Sequence, residues 1–250
     1  MTDHVLKTRE GDVLILRMNR ADKKNALSGA MYDALSAGLA EANADASVGA
    51  VVILGQPGIF CAGNDIKDFI GFAMGGSLGT PILGFLRALV DNKKPLVAGV
   101  DGGAIGIGTT MILHCDYAIA SDRSVFATPF TDLGLVPEAG SSLLVPQLMG
   151  TRLGFEMLAM GAKFTAERAR KTGLVNRVVT PDEVDAETLK VAQAIAAKPR
   201  EAVAIARRLL RPDPAIVQAR IDEEAELFRQ RLTSAEARKA FEAFLSKPKG

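Results

Sequence analysis

The chain has 250 residues, of which 48% are hydrophobic and 24% are charged. This composition is typical of a folded globular protein and excludes a largely disordered one. Its 30 basic and 29 acidic residues give a net charge of +1, which provides no general attraction to nucleic acid or to an anionic membrane. The two cysteines, Cys61 and Cys115, are too few for a disulfide framework, and we expect buried, unreactive thiols. We expect neither a signal peptide nor a membrane span, and a cytoplasmic protein.

The first part of the chain predicts a strand pair, a helix and a buried strand. HVLKTREGDVLILRMN predicts two strands around a turn at Glu10, Gly11 and Asp12. Ser28 is a suitable N-cap for the helix that follows. The apolar residues of that helix recur about every four positions, at Met31, Leu35, Leu39 and Ala42. The continuous apolar run in GAVVILGQ then predicts a strand that is buried on both faces.

Strands, loops and helices alternate through the middle of the chain. GIFCAGNDIKDF predicts a loop that leads into a helix, and KPLVAGVDG predicts another buried strand. GGAIGIG predicts a glycine-rich turn that opens the helical segment TTMILH, and CDYAIAS and SVFAT predict further strands. This order indicates an α/β fold of stacked strand-strand-helix units rather than a single Rossmann sheet.

The last part of the chain is predicted to be helical. TPDEV has the pattern of a capping box, with Thr180 as the cap and Glu183 able to reach back to it. RIDEEAELFRQRL and EARKAFEAFLSKPKG predict amphipathic helices whose apolar faces need a partner surface. We therefore predict a spiral core over residues 1–195 and a C-terminal helical region over residues 196–250.

Two loops contain residues that would let backbone N–H groups approach a ligand. Ala62 and Gly63 follow an apolar run, and GGAIGIG precedes a helix whose first N–H groups have no partner within the helix. Two such N–H groups converging on one oxygen would form an oxyanion hole. The alternative is that both loops are tight turns required for packing. The spacing of the glycines does not match the dinucleotide-binding pattern G-x-G-x-x-G.

One carboxylate, Glu138, lies between an apolar run and a cluster of small residues in GLVPEAGSS. Pro137 suits the first position of a helix, and an acidic residue beside it would face the positive end of the helix dipole. Glu138 is thus either an ordinary first-turn residue or a base in an apolar pocket, where desolvation would raise its basicity.

Four motifs in order resemble the crotonase (enoyl-CoA hydratase/isomerase) superfamily. They are NRADKKNALS, GIFCAGNDIKD, KPLVAGVDGGAIGIGTTMILHCDYAIAS and FATPFTDLGLVPEAGSS, and the resemblance covers roughly residues 10–180. It implies a spiral of ββα units that binds acyl-CoA thioesters, with C-terminal helices that mediate assembly into a homotrimer or a dimer of trimers. It implies no cofactor, since coenzyme A is part of the substrate, and no nucleic-acid or membrane partner.

The resemblance also assigns site residues. The backbone N–H groups of Ala62 and Ile107 correspond to the oxyanion-hole donors, and Glu138 corresponds to the base of the Δ3,Δ2-enoyl-CoA isomerases. The residues implied in substrate binding are Lys24, Ala26, Ala62, Gly63, Asp65, Ile66, Ile107 and Leu135. We expect no metal site, because no histidine or cysteine spacing indicates one.

The choice between hydratase and isomerase depends on carboxylates. The two glutamates used by the family's hydratases correspond here to Thr110, a poor base, and Phe130, which cannot transfer a proton. Double-bond migration needs only one carboxylate, and Glu138 would provide it. The alternatives are an enoyl-CoA hydratase or another acyl-CoA enzyme of this superfamily, and a non-catalytic acyl-CoA-binding or RNA-binding member. We expect His114 and Asp116 to have structural roles.

Overall fold

A computed structural model of the protein describes residues 4–65 and 79–246, and the strands within them form two sheets. In chain order these strands are β1 (Val5–Glu10), β2 (Val13–Met18), β3 (Ala50–Leu54), β4 (Ile59–Cys61), β5 (Leu96–Val100), β6 (Gly103–Ile105), β7 (Tyr117–Ser121), β8 (Val125–Ala127), β9 (Phe164–Thr165) and β10 (Arg177–Val179). The larger sheet has the order β1-β2-β3-β5-β7-β10, and the smaller has the order β4-β6-β8-β9. Pairing is parallel except between β1 and β2 and between β8 and β9.

The pairing shows the predicted spiral of repeated units. Each of the pairs β3/β4, β5/β6 and β7/β8 contributes its first strand to the larger sheet and its second strand to the smaller one. Successive units therefore stack, with β3 beside β5 and β5 beside β7 in one sheet and β4 beside β6 and β6 beside β8 in the other. The stacking aligns the loops that follow β4 and β6, and these loops contain the predicted oxyanion-hole residues.

The helices of the described residues surround the two sheets and fill the C-terminal part of the chain. They are α1 (Gly29–Ala44), α2 (Thr80–Asp91), α3 (Ile107–Thr110), α4 (Ser141–Met149), α5 (Thr151–Leu158), α6 (Ala166–Lys171), α7 (Val184–Ala196), α8 (Arg200–Leu210), α9 (Pro214–Leu232) and α10 (Ala235–Leu245). Short 3-10 turns cover Ala21–Lys23, Met111–His114, Thr131–Leu133 and Pro181–Glu183. None of the helices in this described part is long and apolar enough to cross a membrane.

The central strands of the larger sheet, β2, β3 and β5, are buried on both faces, as their continuous apolar runs predict, while the edge strand β1 is mostly exposed. Alternate residues of β2 and β3 point to opposite faces, so Leu14 and Val51 join the main core while Val13 and Val52 join a second cluster. That second cluster is covered by α7, which contributes Ala192 and Ala196. The main core contains the buried stripe of α1.

Most predicted elements are confirmed, with two corrections. Ser28 caps α1 by accepting a hydrogen bond from the N–H of Met31, and Thr180 and Glu183 form the capping box at the start of a 3-10 turn that leads into α7. GIFCAG is not wholly a loop, because it contains β4, and GGAIGIG contains β6. Both strands were missed because three residues are too short a run to show a period of two. The helix predicted after GIFCAGNDIKDF lies outside the described residues.

The C-terminal helices pack against the core of their own chain. Apolar side chains of α9 join the main core, namely Val217, Ile221, Phe228 and Leu232, and Ala237 of α10 is also buried there. The backbone of Gly134 lies so close to Ala237 that a Cβ atom on the glycine would come within 2.7 Å of the alanine nitrogen. The assembly role predicted for residues 196–250 stays a prediction, but these helices also cover the segment that carries Glu138.

Candidate active site

The carboxylate of Glu138 is buried in the core, with 5% of the residue exposed. It precedes helix α4, which begins only at Ser141, so Glu138 is not the first-turn helix residue that its proximity to Pro137 suggests. The two residues after it, Ala139 and Gly140, both have left-handed backbone conformations, with φ of 62° and 72°. This turn directs the glutamate inward instead of starting the helix at the proline.

One hydrogen bond holds the Glu138 carboxylate inside the protein. The Thr110 hydroxyl donates to Glu138 Oε1 across 2.5 Å, and both residues are buried. Burial raises the pKa of Glu138 to about 8, the hydrogen bond from Thr110 opposes that rise, and the negative charge of Glu224 adds to it. A carboxylic acid with this pKa can exchange a proton with a carbon acid near neutral pH, as a general acid-base group must.

The left-handed turn after Glu138 is held by a buried histidine. His114 Nε2 lies 2.8 Å from the carbonyl oxygen of Ala139, and burial lowers the pKa of His114 to about 4. The ring is therefore neutral at physiological pH and donates its one proton to this carbonyl. A structural role for His114 agrees with the sequence analysis, and its contact is with the residue next to the candidate base.

Glu224 of helix α9 holds the same turn from the other side. Its Oε2 accepts the N–H of Gly140 at 2.6 Å, and its Oε1 accepts the N–H of Ser142 at 2.9 Å. These are first-turn N–H groups of α4 that no residue within the helix can satisfy. Glu224 was not among the predicted site residues. The pattern of α9 does indicate it, because Glu224 lies on the buried stripe of that helix, between Ile221 and Phe228. A charged residue at such a position requires a partner.

The loops after β4 and β6 pass within van der Waals distance of each other. A Cβ atom placed on Gly106 would come within 3.9 Å of the Cα of Gly63, and one placed on Gly108 would come within 2.7 Å of the Cys61 carbonyl oxygen. At position 108 only glycine permits this approach. Helix α3 begins immediately after Gly106, and no described group accepts the N–H of its first residue, Ile107. The N–H of Ile107 is thus free to bind an oxyanion.

The N–H of Ala62, the other predicted oxyanion donor, has a partner within the protein. The N–H of Ala62 donates to the carbonyl oxygen of Lys24 at 3.0 Å, so it is already satisfied. Its neighbour two positions on, Asn64, has an N–H with no acceptor among the described residues. The Asn64 side chain is also held, because Tyr32 donates its hydroxyl to Asn64 Oδ1 at 2.5 Å. Sequence analysis could not separate these two residues, since both adjoin Gly63.

The segment around Lys24 and Ala26, which the resemblance implies in substrate binding, forms a strained turn beside the β4 loop. Lys24 and Asn25 both have left-handed conformations, with φ of 51° and 53°. The buried Asn25 side chain maintains the turn by donating to the carbonyl oxygens of Ile59 and Phe60. Lys24 is exposed and Ala26 is half-buried, so both are positioned at the surface of the site.

Asp65 has a structural contact rather than a free carboxylate. Arg20 Nη1 lies 2.7 Å from Asp65 Oδ2, and the same nitrogen donates to the Ala26 carbonyl oxygen at 3.0 Å. This nearly buried ion pair joins the strained turn to the β4 loop. Leu135 is buried in the main core, and Gly63 is buried in the β4 loop. The remaining predicted binding residue, Ile66, lies outside the described residues.

Other candidate groups have structural explanations. Asp116 accepts the N–H of Leu96 and pairs with Arg207 and Arg211, which confirms the expected structural role. Burial raises the pKa of Cys61 and of Cys115 to about 12, so neither thiol is reactive at physiological pH. Within residues 4–65 and 79–246, no cluster of three or more histidine, cysteine or carboxylate side chains could hold a metal ion.

Comparison with known proteins identifies the family. Residues 8–250 match the model of the enoyl-CoA hydratase/isomerase family, and the chain belongs to that family. It is 34% identical over 252 residues to enoyl-CoA delta isomerase 2 of Rattus norvegicus, which covers 98% of this chain but 64% of the rat protein. It is 30% identical over 246 residues to a probable enoyl-CoA hydratase of Rhizobium meliloti (strain 1021), covering 98% of this chain and 96% of that protein.

A solved structure has the same fold over nearly the whole chain. The structure of Pseudomonas aeruginosa OdaA superposes with a TM-score of 0.93 and 36% sequence identity, covering 98% of this chain and 100% of that chain. The crotonase-like spiral of ββα units with C-terminal helices is therefore confirmed, and the superfamily resemblance with it. Relatives described as isomerases and as hydratases match at similar identity, so the chemistry has to be argued from the site.

Proposed function

We propose that the protein is a Δ3,Δ2-enoyl-CoA isomerase in which Glu138 is the single acid-base group. The observation that supports this most directly is the number of carboxylates available for chemistry. Glu138 is buried, has a raised pKa and keeps one oxygen without a described hydrogen bond. Glu224, whose negative charge also raises the pKa of Glu138, has both oxygens occupied by backbone N–H groups. Thr110 and Phe130 occupy the two positions at which a hydratase would have its glutamates.

The proposed reaction moves one proton between two carbons of the acyl chain. The ionised Glu138 removes a proton from the α-carbon of a 3-enoyl thioester, the C–H electron pair enters the conjugated system, and the negative charge develops on the thioester oxygen. Protonated Glu138 then returns the proton to the γ-carbon, the thioester carbonyl re-forms, and the double bond lies between the α- and β-carbons. No water enters the product, so no second carboxylate is required.

The backbone N–H groups of Asn64 and Ile107 are proposed to hold the thioester oxygen during this reaction. Both N–H groups are free of described acceptors, and each follows a glycine of the two neighbouring loops, Gly63 and Gly106. Pre-positioned N–H donors stabilise an enolate because they need no reorganisation when the charge develops. Asn64 replaces Ala62 in this role, and Ala62 instead joins the β4 loop to the strained turn through the Lys24 carbonyl oxygen.

The coenzyme A part of the substrate is proposed to lie along the strained turn. Lys24 offers a cation at its exposed end, and the backbone around Ala26 lies beside the loop that carries Gly63. The bond between the N–H of Leu27 and the Gly63 carbonyl oxygen, at 2.8 Å, keeps this turn next to the proposed oxyanion hole. No cofactor is proposed beyond the coenzyme A of the substrate.

The second candidate is an enoyl-CoA hydratase or another acyl-CoA enzyme of the same family. It is favoured by the match to a relative described as a probable hydratase along 98% of this chain. In that case Glu138 would have to both activate water and deliver a proton. A non-catalytic acyl-CoA-binding member is a third candidate, and it is disfavoured by the raised pKa of the buried Glu138 carboxylate, which binding alone does not require.

Paired substrates separate these candidates. The wild type, Glu138→Gln and a control, Glu156→Gln, are assayed with 3-enoyl-CoA and 2-enoyl-CoA, and conjugated thioester is followed by its absorbance. Glu156 is a matched control because it forms a partly exposed ion pair with Arg168, away from the site. We expect Glu138→Gln to abolish formation of 2-enoyl-CoA while binding of the CoA ester survives, and Glu156→Gln to retain activity.

The same assay shows which alternative holds if the proposal fails. Full isomerisation by Glu138→Gln would contradict the assignment of the base. Incorporation of labelled oxygen from water into the product would identify a hydratase. Binding of CoA esters without turnover of either substrate would identify a binding protein.

A homotrimer or a dimer of trimers is proposed for the assembled protein. Helix α8 has apolar side chains that are largely exposed, with Leu209 75% and Leu210 85% accessible. Such a surface is typical of a contact between subunits. Sedimentation equilibrium of the wild type and of Leu209→Glu tests this: we expect the variant to dissociate, and an unchanged mass would exclude α8 from the contact.

A further inference from the structure

We infer that Thr110 is the positioning residue for the base and that it assigns the proton-transfer role to one oxygen of Glu138, Oε2. The inference rests on the proposed function, because it concerns how the same base works. It starts from the 2.5 Å hydrogen bond between the Thr110 hydroxyl and Glu138 Oε1, which links residues that are 28 positions apart.

The direction of this hydrogen bond is determined by chemistry in both states of the base. An ionised carboxylate can only accept, so the Thr110 hydroxyl must donate to it. When Glu138 takes a proton from the substrate on Oε2, Oε1 still has free lone pairs, and the hydroxyl can keep donating to it. The bond therefore persists through the cycle, and the proton is carried on Oε2, which has no described partner.

The position of Thr110 links the base to the proposed oxyanion hole. Thr110 is the last residue of α3, and Ile107, whose N–H is a proposed oxyanion donor, is the first. Residues three apart lie on the same face of a helix, about 4.5 Å apart along its axis. One turn of helix thus holds both the N–H that receives the developing negative charge and the hydroxyl that orients the base.

The hydrogen bond also adjusts the basicity of Glu138. A bond donated to a carboxylate stabilises its ionised form, and here it opposes the effect of burial on the pKa of Glu138. Without the hydroxyl, the carboxylate would remain protonated to a higher pH and would rotate more freely, so less of the enzyme would hold a correctly placed base.

The test compares Thr110→Val, Thr110→Ser and a control, Thr128→Val. Valine keeps the shape of threonine and removes the donor, serine keeps the donor, and Thr128 is a buried threonine that donates instead to the Met157 carbonyl oxygen. We expect Thr110→Val to lower kcat at least about tenfold and to move the acidic limb of the kcat/KM profile upward by about one pH unit. Thr110→Ser and Thr128→Val should keep the limb of the wild type.

A folded Thr110→Val variant with the kcat and pH profile of the wild type would overturn the inference. If that variant does not fold, Thr110→Ala replaces it, and an acidic limb of the kcat/KM profile unchanged in Thr110→Ala would also overturn the inference. An equal shift in Thr128→Val would also overturn it, because the effect would then follow from losing any buried hydroxyl.

A second readout separates this inference from the proposed function. The Glu138 carboxyl is titrated directly by NMR in protein labelled with ¹³C at the glutamate carboxyl carbons, its signal being assigned by loss in Glu138→Gln. We expect a higher pKa in Thr110→Val than in the wild type, and an equal pKa would refute the role of Thr110. Absence of isomerase activity together with the expected titration shift would reject the proposed reaction and retain the positioning role.

Discussion

Replacing Glu138 by glutamine should stabilise the protein progressively as the pH rises. Burial raises the pKa of Glu138 from 4.5 to about 8, so between these values the native state holds a proton that the unfolded chain has released. The state that binds more protons loses stability as the pH rises, so this group destabilises the native wild type across that window. Glutamine has a similar shape and can accept the Thr110 hydrogen bond, but it does not titrate.

The expected magnitude follows from the width of the window. Each pH unit between the two pKa values lowers the unfolding free energy of the wild type by about 1.4 kcal/mol relative to that of Glu138→Gln, which does not titrate at this position. The difference in unfolding free energy between Glu138→Gln and the wild type should therefore increase by about 3 kcal/mol between pH 4.5 and pH 7. It should become constant above about pH 8, where both states are ionised.

Urea unfolding at several pH values from 4.5 to 9 measures this difference. Protein concentration is held constant, because assembly would couple stability to concentration. Glu156→Gln is the matched control, and its difference from the wild type should not show this increase. A difference for Glu138→Gln that does not change with pH, or that falls as the pH rises, would refute the raised pKa and the argument from burial.

Three further predictions concern the residues that support the site. Glu224→Gln removes a negative charge near Glu138, so the pKa of Glu138 should fall and the acidic limb of the kcat/KM profile should move to lower pH. Gly108→Ala places a Cβ atom 2.7 Å from the Cys61 carbonyl oxygen. The shift that this requires should displace the N–H of Ile107 and lower kcat on the order of a hundredfold. The control Gly84→Ala, whose Cβ would have nothing within 4 Å, should keep the kcat of the wild type. Arg20→Ala removes the charge-assisted hydrogen bond to the nearly buried Asp65 carboxylate, so it should lower the unfolding free energy by about 2 kcal/mol and raise KM for acyl-CoA.

The sequence predicts the elements with strong periodicity and fails at the shortest ones. The stripe of α1 and the continuous apolar strands are visible because burial of one face or of both faces imposes a pattern on five or more residues. Strands β4 and β6 have three residues each, which is too few for a pattern. Their positions are determined by pairing with neighbours that are distant in the chain.

The choice between Ala62 and Asn64 shows the same limitation at the site. Hydrogen-bonding groups alternate in direction along an extended segment, so the residue whose N–H is free depends on which neighbour the segment pairs with. The bond from Ala62 to the Lys24 carbonyl, and the bridge between Asn64 and Leu27, decide this. Neither contact requires a particular residue type, because backbone N–H and carbonyl groups are common to these residues, so the sequence does not reveal it.

What the sequence by itself determined is the fold class, the position of the glycine-rich loops and the one carboxylate, Glu138, placed among apolar residues. These depend on burial and on local backbone conformation, which act through residue type. Only the tertiary structure decided that Thr110 holds this carboxylate and that Glu224, from helix α9, holds the turn beside it. These contacts join residues 28 and more than 80 positions apart. They form only when packing brings their elements together, so no local pattern could predict them.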